Sequence, residues 1–157
     1  MRVALQLIIS IAVCMGAGLF GAASMSADTM AWYQGLRRPG FTPPDWLFAP
    51  VWTTLYVLMG IALFLIWRQS DAGVDARAAI ALFVAQLVLN ALWTPAFFGM
   101  RSPGTGLAVI LPLWALIIIT IAAFWQIKPL AGILLLPYAA WTGFAAVLNG
   151  SIYVLNR

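Results

Sequence analysis

The sequence contains no glutamate, no histidine and one cysteine, and only 8% of its residues are charged. Without histidine or glutamate, neither a Ser/His/Asp triad nor a histidine-ligated zinc or haem site can be assembled. The four aspartates lie in or beside the segments between apolar runs, which excludes a carboxylate pair inside those runs. A lone Cys14 rules out an intrachain disulfide. Hydrolysis, phosphoryl transfer and proton pumping are therefore not expected, and no metal site is predicted.

Charge of either sign is scarce and is not clustered. Eight lysines and arginines against four aspartates give a net charge of +4, spread between the apolar segments. A nucleic-acid-binding surface needs basic residues grouped on one face, so no nucleic-acid partner is expected. With 64% hydrophobic residues and a mean hydropathy of +1.01, the chain cannot cover a water-facing surface of ordinary charge density. The composition predicts an integral membrane protein embedded in a lipid bilayer.

Five apolar stretches are long enough to cross a hydrocarbon core of about 30 Å, which takes roughly 20 helical residues. None contains Asp, Lys or Arg, and they span residues 3–23, 46–67, 78–98, 107–127 and 130–155. Lipid offers no partners to backbone N–H and C=O groups, and the runs show no period-two alternation, so helices are favoured over a barrel. The predicted fold is an all-α, five-transmembrane-helix bundle. It forms one domain over residues 1–157, with a long ordered loop between the first two helices.

The first stretch has a second interpretation, because Arg2, an apolar run and small residues near its end resemble a cleavable signal peptide. The run is longer than the roughly 7 to 15 residues of a signal core. It also carries small residues four apart, such as Gly18 and Ala22, which let membrane helices approach closely. A membrane span is the preferred interpretation. Four basic residues fall on each predicted side, so the positive-inside rule gives no orientation.

The stretch 32–56 joins the long first loop to the second span and is stiff and aromatic. It holds four of the nine prolines, three of the eight tryptophans and two of the four tyrosines. Proline lacks an N–H donor and disfavours helix at the preceding residue, so residues 39–44 should form an ordered, non-helical lid. Trp52 and Tyr56 are four residues apart and should share the helix face below it. A rigid lid over an aromatic face predicts a site for a flat, largely apolar molecule.

Polar and aromatic residues recur at four-residue spacing in two later segments. The third segment carries Gln86, Asn90 and Thr94 with Trp93 and Phe97 beside them, and the fifth carries Trp141, Ala145 and Asn149. Burying an unpaired amide against lipid costs several kcal/mol, so Asn90 requires a partner in the bundle or a ligand. Two interpretations stay open: the amides bridge helices, at about 0.6 to 2 kcal/mol each, or they contact a ligand. The small Ala145 would leave room for that ligand.

These segments resemble the TspO/MBR family of tryptophan-rich sensory proteins and translocator proteins, also called peripheral benzodiazepine receptors. The motifs are WYxxLxxPxxxPPxWxFxPVWTxLY at 32–56, QLxLNxxWxPxFFG at 86–99, and PYxxW followed by FAxxLN at 137–149. The resemblance covers essentially the whole chain and implies a five-helix bundle, frequently a homodimer. Its cavity under the first loop is expected to bind porphyrins such as protoporphyrin IX, or sterols and synthetic apolar ligands in some members. No obligatory cofactor is expected, and the expected location is a bacterial cell-envelope membrane.

The resemblance also implies ligand-binding positions where the motifs match. These are Tyr33, Pro43, Phe48, Trp52, Tyr56, Asn90, Trp93, Trp141 and Ala145. The chain departs from the family pattern at Phe41, where many relatives have tryptophan, and at Gly150, where sterol-binding animal members have tyrosine. A loose cholesterol-binding pattern, Leu or Val followed by Tyr and then by Lys or Arg, fits Leu148, Tyr153 and Arg157. Its tyrosine, Tyr153, does not fall at the position of the tyrosine in the sterol-binding members, which argues against a sterol site.

Three functions are compatible with the residues and the resemblance. The leading prediction is a membrane protein that binds, senses or transports tetrapyrroles. Arg37 and Arg38 are candidate partners for ligand carboxylates, although a solvated pair is the ordinary interpretation. The alternative is an enzyme that degrades porphyrin in light and oxygen, using the oxidisable Trp52 and Trp141 because acid and base groups are missing. The third is a structural dimer whose bound pigment is incidental. Binding is favoured over catalysis.

Overall fold

The computed structural model describes residues 2–157, and these contain six α-helices: α1 (Arg2–Ala22), α2 (Ala27–Gln34), α3 (Asp45–Asp71), α4 (Arg77–Thr94), α5 (Pro103–Ile127) and α6 (Pro129–Leu155). A π-helical turn, Pro95–Gly99, continues α4. Within the described range, five helices are long and apolar enough to cross a membrane: α1, α3, α4 with its π-helical turn, α5 and α6. The predicted fold is confirmed, and the chain is a multi-pass integral membrane protein.

The five long helices form a ring in which each packs mainly against two neighbours. Around the ring the order is α1, α3, α6, α5 and α4. Helices α1 and α3 approach so closely that a Cβ atom on Gly60 would lie 2.6 Å from Cα of Ile11, so only glycine fits there. Helix α1 is thus packed as a member of the bundle, as expected for a membrane span. Because successive spans alternate in direction, the C-terminal ends of α1, α4 and α6 share one face with α2.

The half of the bundle farther from α2 is filled by apolar side chains. Phe83 and Phe124 are fully buried and stack with ring centroids 5.6 Å apart. Met59, Ile66 and Leu113 belong to the same buried cluster. Close packing in this half leaves the half nearer α2 as the place where a guest molecule can be accommodated.

The first loop differs from the prediction because it contains α2. Ser26 and Thr29 form a reciprocal cap: Ser26 Oγ accepts from the Thr29 N–H at 3.2 Å, and Thr29 Oγ1 accepts from the Ser26 N–H at 2.8 Å. The stretch 32–56 therefore begins in a helix and not in a loop. Residues 39–44 are non-helical, as predicted, and Pro44 lies immediately before the first residue of α3.

The π-helical turn begins at Pro95. The N–H groups of Met100 and Ser102 bond to carbonyl oxygens five residues earlier, on Pro95 and Phe97, at 2.9 and 3.1 Å. This wider turn places the Phe97 ring in the interior, where it is buried and lies 5.7 Å from the ring of Trp32 in α2. The turn thereby connects α2 to the bundle through aromatic contacts.

Candidate functional site

A cavity of about 470 Å³ lies in the half of the bundle nearer α2. Helices α1, α3, α4 and α6 supply its walls, and α2 contributes Met30 and Tyr33. Its volume falls within the roughly 300 to 1,000 Å³ of small-molecule sites. Apolar and aromatic side chains form most of the lining, as expected for a site that takes an apolar guest.

Three aromatic rings form one wall of the cavity. Trp52 and Tyr56 stack with ring centroids 5.7 Å apart and an interplanar angle of 28°. Trp93 lies on the same wall, with its ring centroid 6.3 Å from that of Trp52 and its plane tilted by 32°. The four-residue spacing of Trp52 and Tyr56 therefore does place them on one face. Such a wall offers an extended aromatic surface to a planar ligand.

Behind this wall, a chain of hydrogen bonds joins α3, α4 and α6. The Tyr56 hydroxyl donates to Asn90 Oδ1 at 2.7 Å, and Asn90 Nδ2 donates to the Tyr138 hydroxyl at 3.0 Å. The Tyr138 hydroxyl in turn donates to Gln86 Oε1 at 2.8 Å. Both ends of the Asn90 amide are therefore bonded within the bundle, although Asn90 also lines the cavity. Its helix-bridging interpretation is supported, and a ligand is not needed to satisfy it.

A second polar link fixes the tryptophan of α4. Trp93 Nε1 donates to Asn149 Oδ1 at 3.3 Å, and Asn149 Nδ2 donates to the Pro103 carbonyl at 2.7 Å. Asn149 is buried and lines the cavity. Because it bonds to both α4 and α5, it orients the Trp93 ring against the cavity.

Charged groups occur at the mouth of the cavity. Asp45, the first residue of α3, lines it, and Arg38 Nη1 lies 3.5 Å from Asp45 Oδ1. The Arg38 guanidinium also stands 5.0 Å from the centre of the Tyr33 ring, within cation–π range. Burial raises the pKa of Tyr33, and the neighbouring Arg38 opposes that rise. Arg38, predicted as a partner for ligand carboxylates, is thus engaged by the protein's own side chains.

The segment 35–44, which joins α2 to α3 and includes the predicted lid at residues 39–44, is fastened to the C-terminal end of α6. The Arg37 backbone N–H donates to Asn156 Oδ1 at 3.0 Å, and Asn156 Nδ2 donates to the Arg37 carbonyl at 2.9 Å. These two bonds join residues 119 positions apart, next to the proline-rich residues 39–44. Asn156 therefore ties this segment to α6.

Limited trypsin digestion measures this fastening. Cleavage after Arg37 in the detergent-solubilised, unliganded protein should be slow, because the bond lies in an ordered segment. Asn156→Ala removes both hydrogen bonds to Arg37 and should raise the cleavage rate about five-fold. The reason is that losing about 1 kcal/mol of stabilisation of the closed segment raises the fraction of molecules in which it is open by that factor. Cleavage after Arg38 is not informative, because Pro39 follows it. Fragment masses give the cleaved bond.

Ser151→Ala is the matched control for the lid. The Ser151 hydroxyl donates its hydrogen bond to the Val147 carbonyl of the same helix and not to a residue of the lid. Rapid cleavage of the wild-type protein after Arg37, or equal rates for the Asn156 and Ser151 variants, would show that the lid is not held in this way.

Seven of the nine predicted ligand-binding residues line the cavity: Tyr33, Phe48, Trp52, Tyr56, Asn90, Trp93 and Ala145. The structure does not place Pro43 and Trp141 on this lining. Pro43 lies on a separate surface depression formed by the lid and the start of α3. Trp141 packs edge-to-face against Phe48, with ring centroids 5.8 Å apart. The predicted ligand contacts of the seven stay a prediction.

Sequence reasoning missed the wall that α1 supplies. It is formed by Met15, Gly18, Leu19 and Ala22. A Cβ atom on Gly18 would overlap the Tyr56 ring, with Cζ only 2.8 Å away. The pair Gly18 and Ala22 was interpreted as a helix-packing signal, whereas here the missing side chain makes room for an aromatic ring of α3.

Comparisons with known proteins agree with these features. The sequence model of the TspO/MBR family matches residues 10–155. The chain is 39% identical over 156 residues to "Tryptophan-rich protein TspO" of Chlorobaculum tepidum, covering 97% of this chain and 96% of that one. It is 40% identical over 125 residues to "Tryptophan-rich sensory protein" of Cereibacter sphaeroides, covering 80% and 77%. It is 37% identical over 138 residues to "Translocator protein" of Homo sapiens, covering 87% and 82%.

Proposed function

Because this chain belongs to the TspO/MBR family, we propose that it binds tetrapyrroles of the protoporphyrin IX type in its membrane cavity. Membership in a family that includes a named sensory protein and a named translocator supports a sensing or transport role in the membrane. Binding of the pigment under the lid is the step that either role requires. A homodimer in a bacterial cell-envelope membrane stays a prediction.

The observation that carries this proposal is the grouping of the Trp52, Tyr56 and Trp93 rings on one cavity wall, where Trp52 is inclined at 28° to Tyr56 and at 32° to Trp93. A planar macrocycle gains most from stacking when flat rings face it, and each aromatic side chain contributes on the order of 1 kcal/mol beyond area burial. The adjoining wall, from α1, carries small and flexible residues such as Gly18 and Met15. The cavity therefore combines a rigid aromatic wall with an adaptable one, which suits a large flat guest.

The alternative function is light- and oxygen-dependent breakdown of the bound porphyrin, in which the pigment is oxidised and oxygen is the oxidant. Trp52 is placed to take part, since it faces the cavity. Trp141 is not, because it lies outside the cavity lining and packs against Phe48, which belongs to that lining. A mechanism that needs both tryptophans against the pigment would require this lining to rearrange. This geometry favours binding without chemistry.

Replacing Trp52 and Trp141 with phenylalanine separates the two functions. If the rings provide stacking area only, Trp52→Phe should cost no more than about 1 to 2 kcal/mol of protoporphyrin IX affinity, and Trp141→Phe less. The pigment should then be chemically unchanged in all variants. The measurement is porphyrin fluorescence and absorbance over time, in light and in darkness, at matched saturation.

Trp125→Phe is the control, because Trp125 is 47% exposed at the far end of α5 and is remote from the cavity lining. Trp141→Phe should not impair folding. Within residues 2–157 the buried Trp141 Nε1 makes no hydrogen bond, so removing it leaves no acceptor unsatisfied. Wild-type loss of pigment beyond that of free porphyrin, abolished in the Trp52 variant and retained in the Trp125 variant, would favour the enzyme. Absence of saturable binding of both protoporphyrin IX and its dimethyl ester to the wild type would reject the proposal itself.

A further inference from the structure

The cavity lining has an acidic group at its mouth and no basic one. Among residues 2–157, Asp45 is the one lining residue with a formal charge at neutral pH, and neither lysine nor arginine lines the cavity. The Asp45 side chain is 48% exposed, so that both solvent and a bound guest can reach it. A ligand that fills the cavity therefore meets a carboxylate where it emerges.

The nearest basic group is already engaged. Arg38 pairs with Asp45 at 3.5 Å and lies over the face of Tyr33. Its other surroundings belong to the lid depression, which also includes Pro43. A ligand carboxylate at the mouth would be repelled by Asp45 and would compete with it for Arg38.

The position of Asp45 in its helix adds to this effect. The N-terminus of α3 presents unpaired backbone N–H groups and the positive end of the helix dipole, which attract anions. Pro44 precedes the helix without a side-chain cap, and Asp45 supplies a negative charge in the first turn. The protein thus places its own anion where a ligand carboxylate would otherwise be favoured.

We propose that Asp45 is a specificity-determining residue, which selects for flat apolar ligands whose mouth-facing edge carries no free carboxylate. Among tetrapyrroles, these are species with esterified or otherwise uncharged or cationic peripheral groups. The inference rests on the proposed tetrapyrrole function and narrows its ligand class. The mouth is neutral overall while Arg38 and Asp45 are paired, and a dicarboxylate adds negative charge that this pair does not balance.

The test compares protoporphyrin IX with its dimethyl ester, which has the same macrocycle and no free carboxylate. Affinities are measured by tryptophan quenching in nanodiscs of zwitterionic lipid, for wild type and Asp45→Asn. The substitution should tighten binding of the diacid about five-fold, as expected for a half-exposed charge interaction, and leave the diester within about two-fold. The selective gain should shrink at high salt, because screening weakens the repulsion.

One variant controls for the removal of a negative charge by itself. Asp28→Asn makes the same charge change in the first turn of α2, where the exposed Asp28 is outside the cavity lining, and should leave both affinities unchanged.

The outcomes separate this inference from the proposed function. If both pigments bind and Asp45→Asn changes their affinities equally, or matches Asp28→Asn, Asp45 does not determine specificity while tetrapyrrole binding stands. If neither pigment binds the wild type, the proposed function fails and the inference fails with it. A gain for the diacid confined to Asp45→Asn supports both.

Discussion

Replacing Asn90 with leucine is expected to lower the free energy of unfolding by about 3 kcal/mol. Asn90 accepts from Tyr56 and donates to Tyr138, which ties α4 to α3 and α6 inside the membrane. Leucine keeps the approximate volume and removes both bonds, and it strands the Tyr56 hydroxyl without its acceptor. The measurement is unfolding in mixed micelles of increasing SDS content, followed by circular dichroism.

A double-variant cycle shows whether the stranded hydroxyl is the cause. Adding Tyr56→Phe to Asn90→Leu removes that hydroxyl and keeps the ring against Trp52. The double variant should recover about 1 kcal/mol relative to the sum of the single changes. If Asn90→Leu unfolds like the wild type, or if the two losses simply add, the hydrogen-bond chain contributes little and Asn90 is retained for another reason.

The membrane spans were predictable because the apolar composition of each segment is enough to determine that it forms a helix in the membrane. A run of about 20 apolar residues can satisfy its backbone in lipid only as a helix, whatever its neighbours are. The inward orientation of Gln86 and Asn90 was predictable for the same kind of reason, and both are buried. Neither prediction needed knowledge of which helices are neighbours.

Helix α2 was missed because it is short and depends on local capping. Its eight residues are too few for an apolar period to be distinguished from chance. Its start is fixed by the reciprocal bonds of Ser26 and Thr29, where threonine stands in the place that glutamate or glutamine commonly takes in this cap. The same local detail set the position of Tyr33, which was predicted as a site residue through resemblance only.

The placement of Trp141 shows the limit of four-residue spacing. Each step of four residues turns a helix by about 40° beyond a full turn, so Trp141 and Asn149, two steps apart, differ by about 80°. Ala145 and Asn149 face the cavity, while Trp141 has rotated toward Phe48. Spacing alone cannot show where along such a row the cavity ends, because the neighbouring helix decides it.

The wall that α1 supplies could not be predicted, because it depends on the register between α1 and α3, which no local sequence pattern encodes. Gly18 faces the cavity because Tyr56 lies directly opposite it, and that pairing is set by the close contact of Gly60 with Ile11 farther along the same helices. Glycine in a membrane helix is compatible with helix packing and with room for a ring. The structure shows that it is used in both ways within one helix pair.

Adding a methyl group at Gly18 should therefore disrupt the cavity. The methyl of Gly18→Ala would overlap Tyr56, and α1 is held near α3 at Gly60, so the ring must move rather than the helix. The displaced ring loses its stacking on Trp52 and its 2.7 Å bond to Asn90. Protoporphyrin IX or its dimethyl ester, whichever binds the wild type more tightly, should bind at least about ten-fold more weakly, a loss of about 1.4 kcal/mol.

Gly16→Ala provides the matched control on the same helix. A Cβ atom there meets nothing within 4 Å, and the residue is exposed. Its affinity should equal that of the wild type, and its stability should rise by up to about 1 kcal/mol through helix propensity. Gly18→Ala gains the same helix propensity but loses about 1 to 3 kcal/mol of stability to overpacking. The two substitutions should therefore change the stability in opposite directions. Equal affinities for the two variants would mean that the Tyr56 ring does not form the wall against which the pigment stacks.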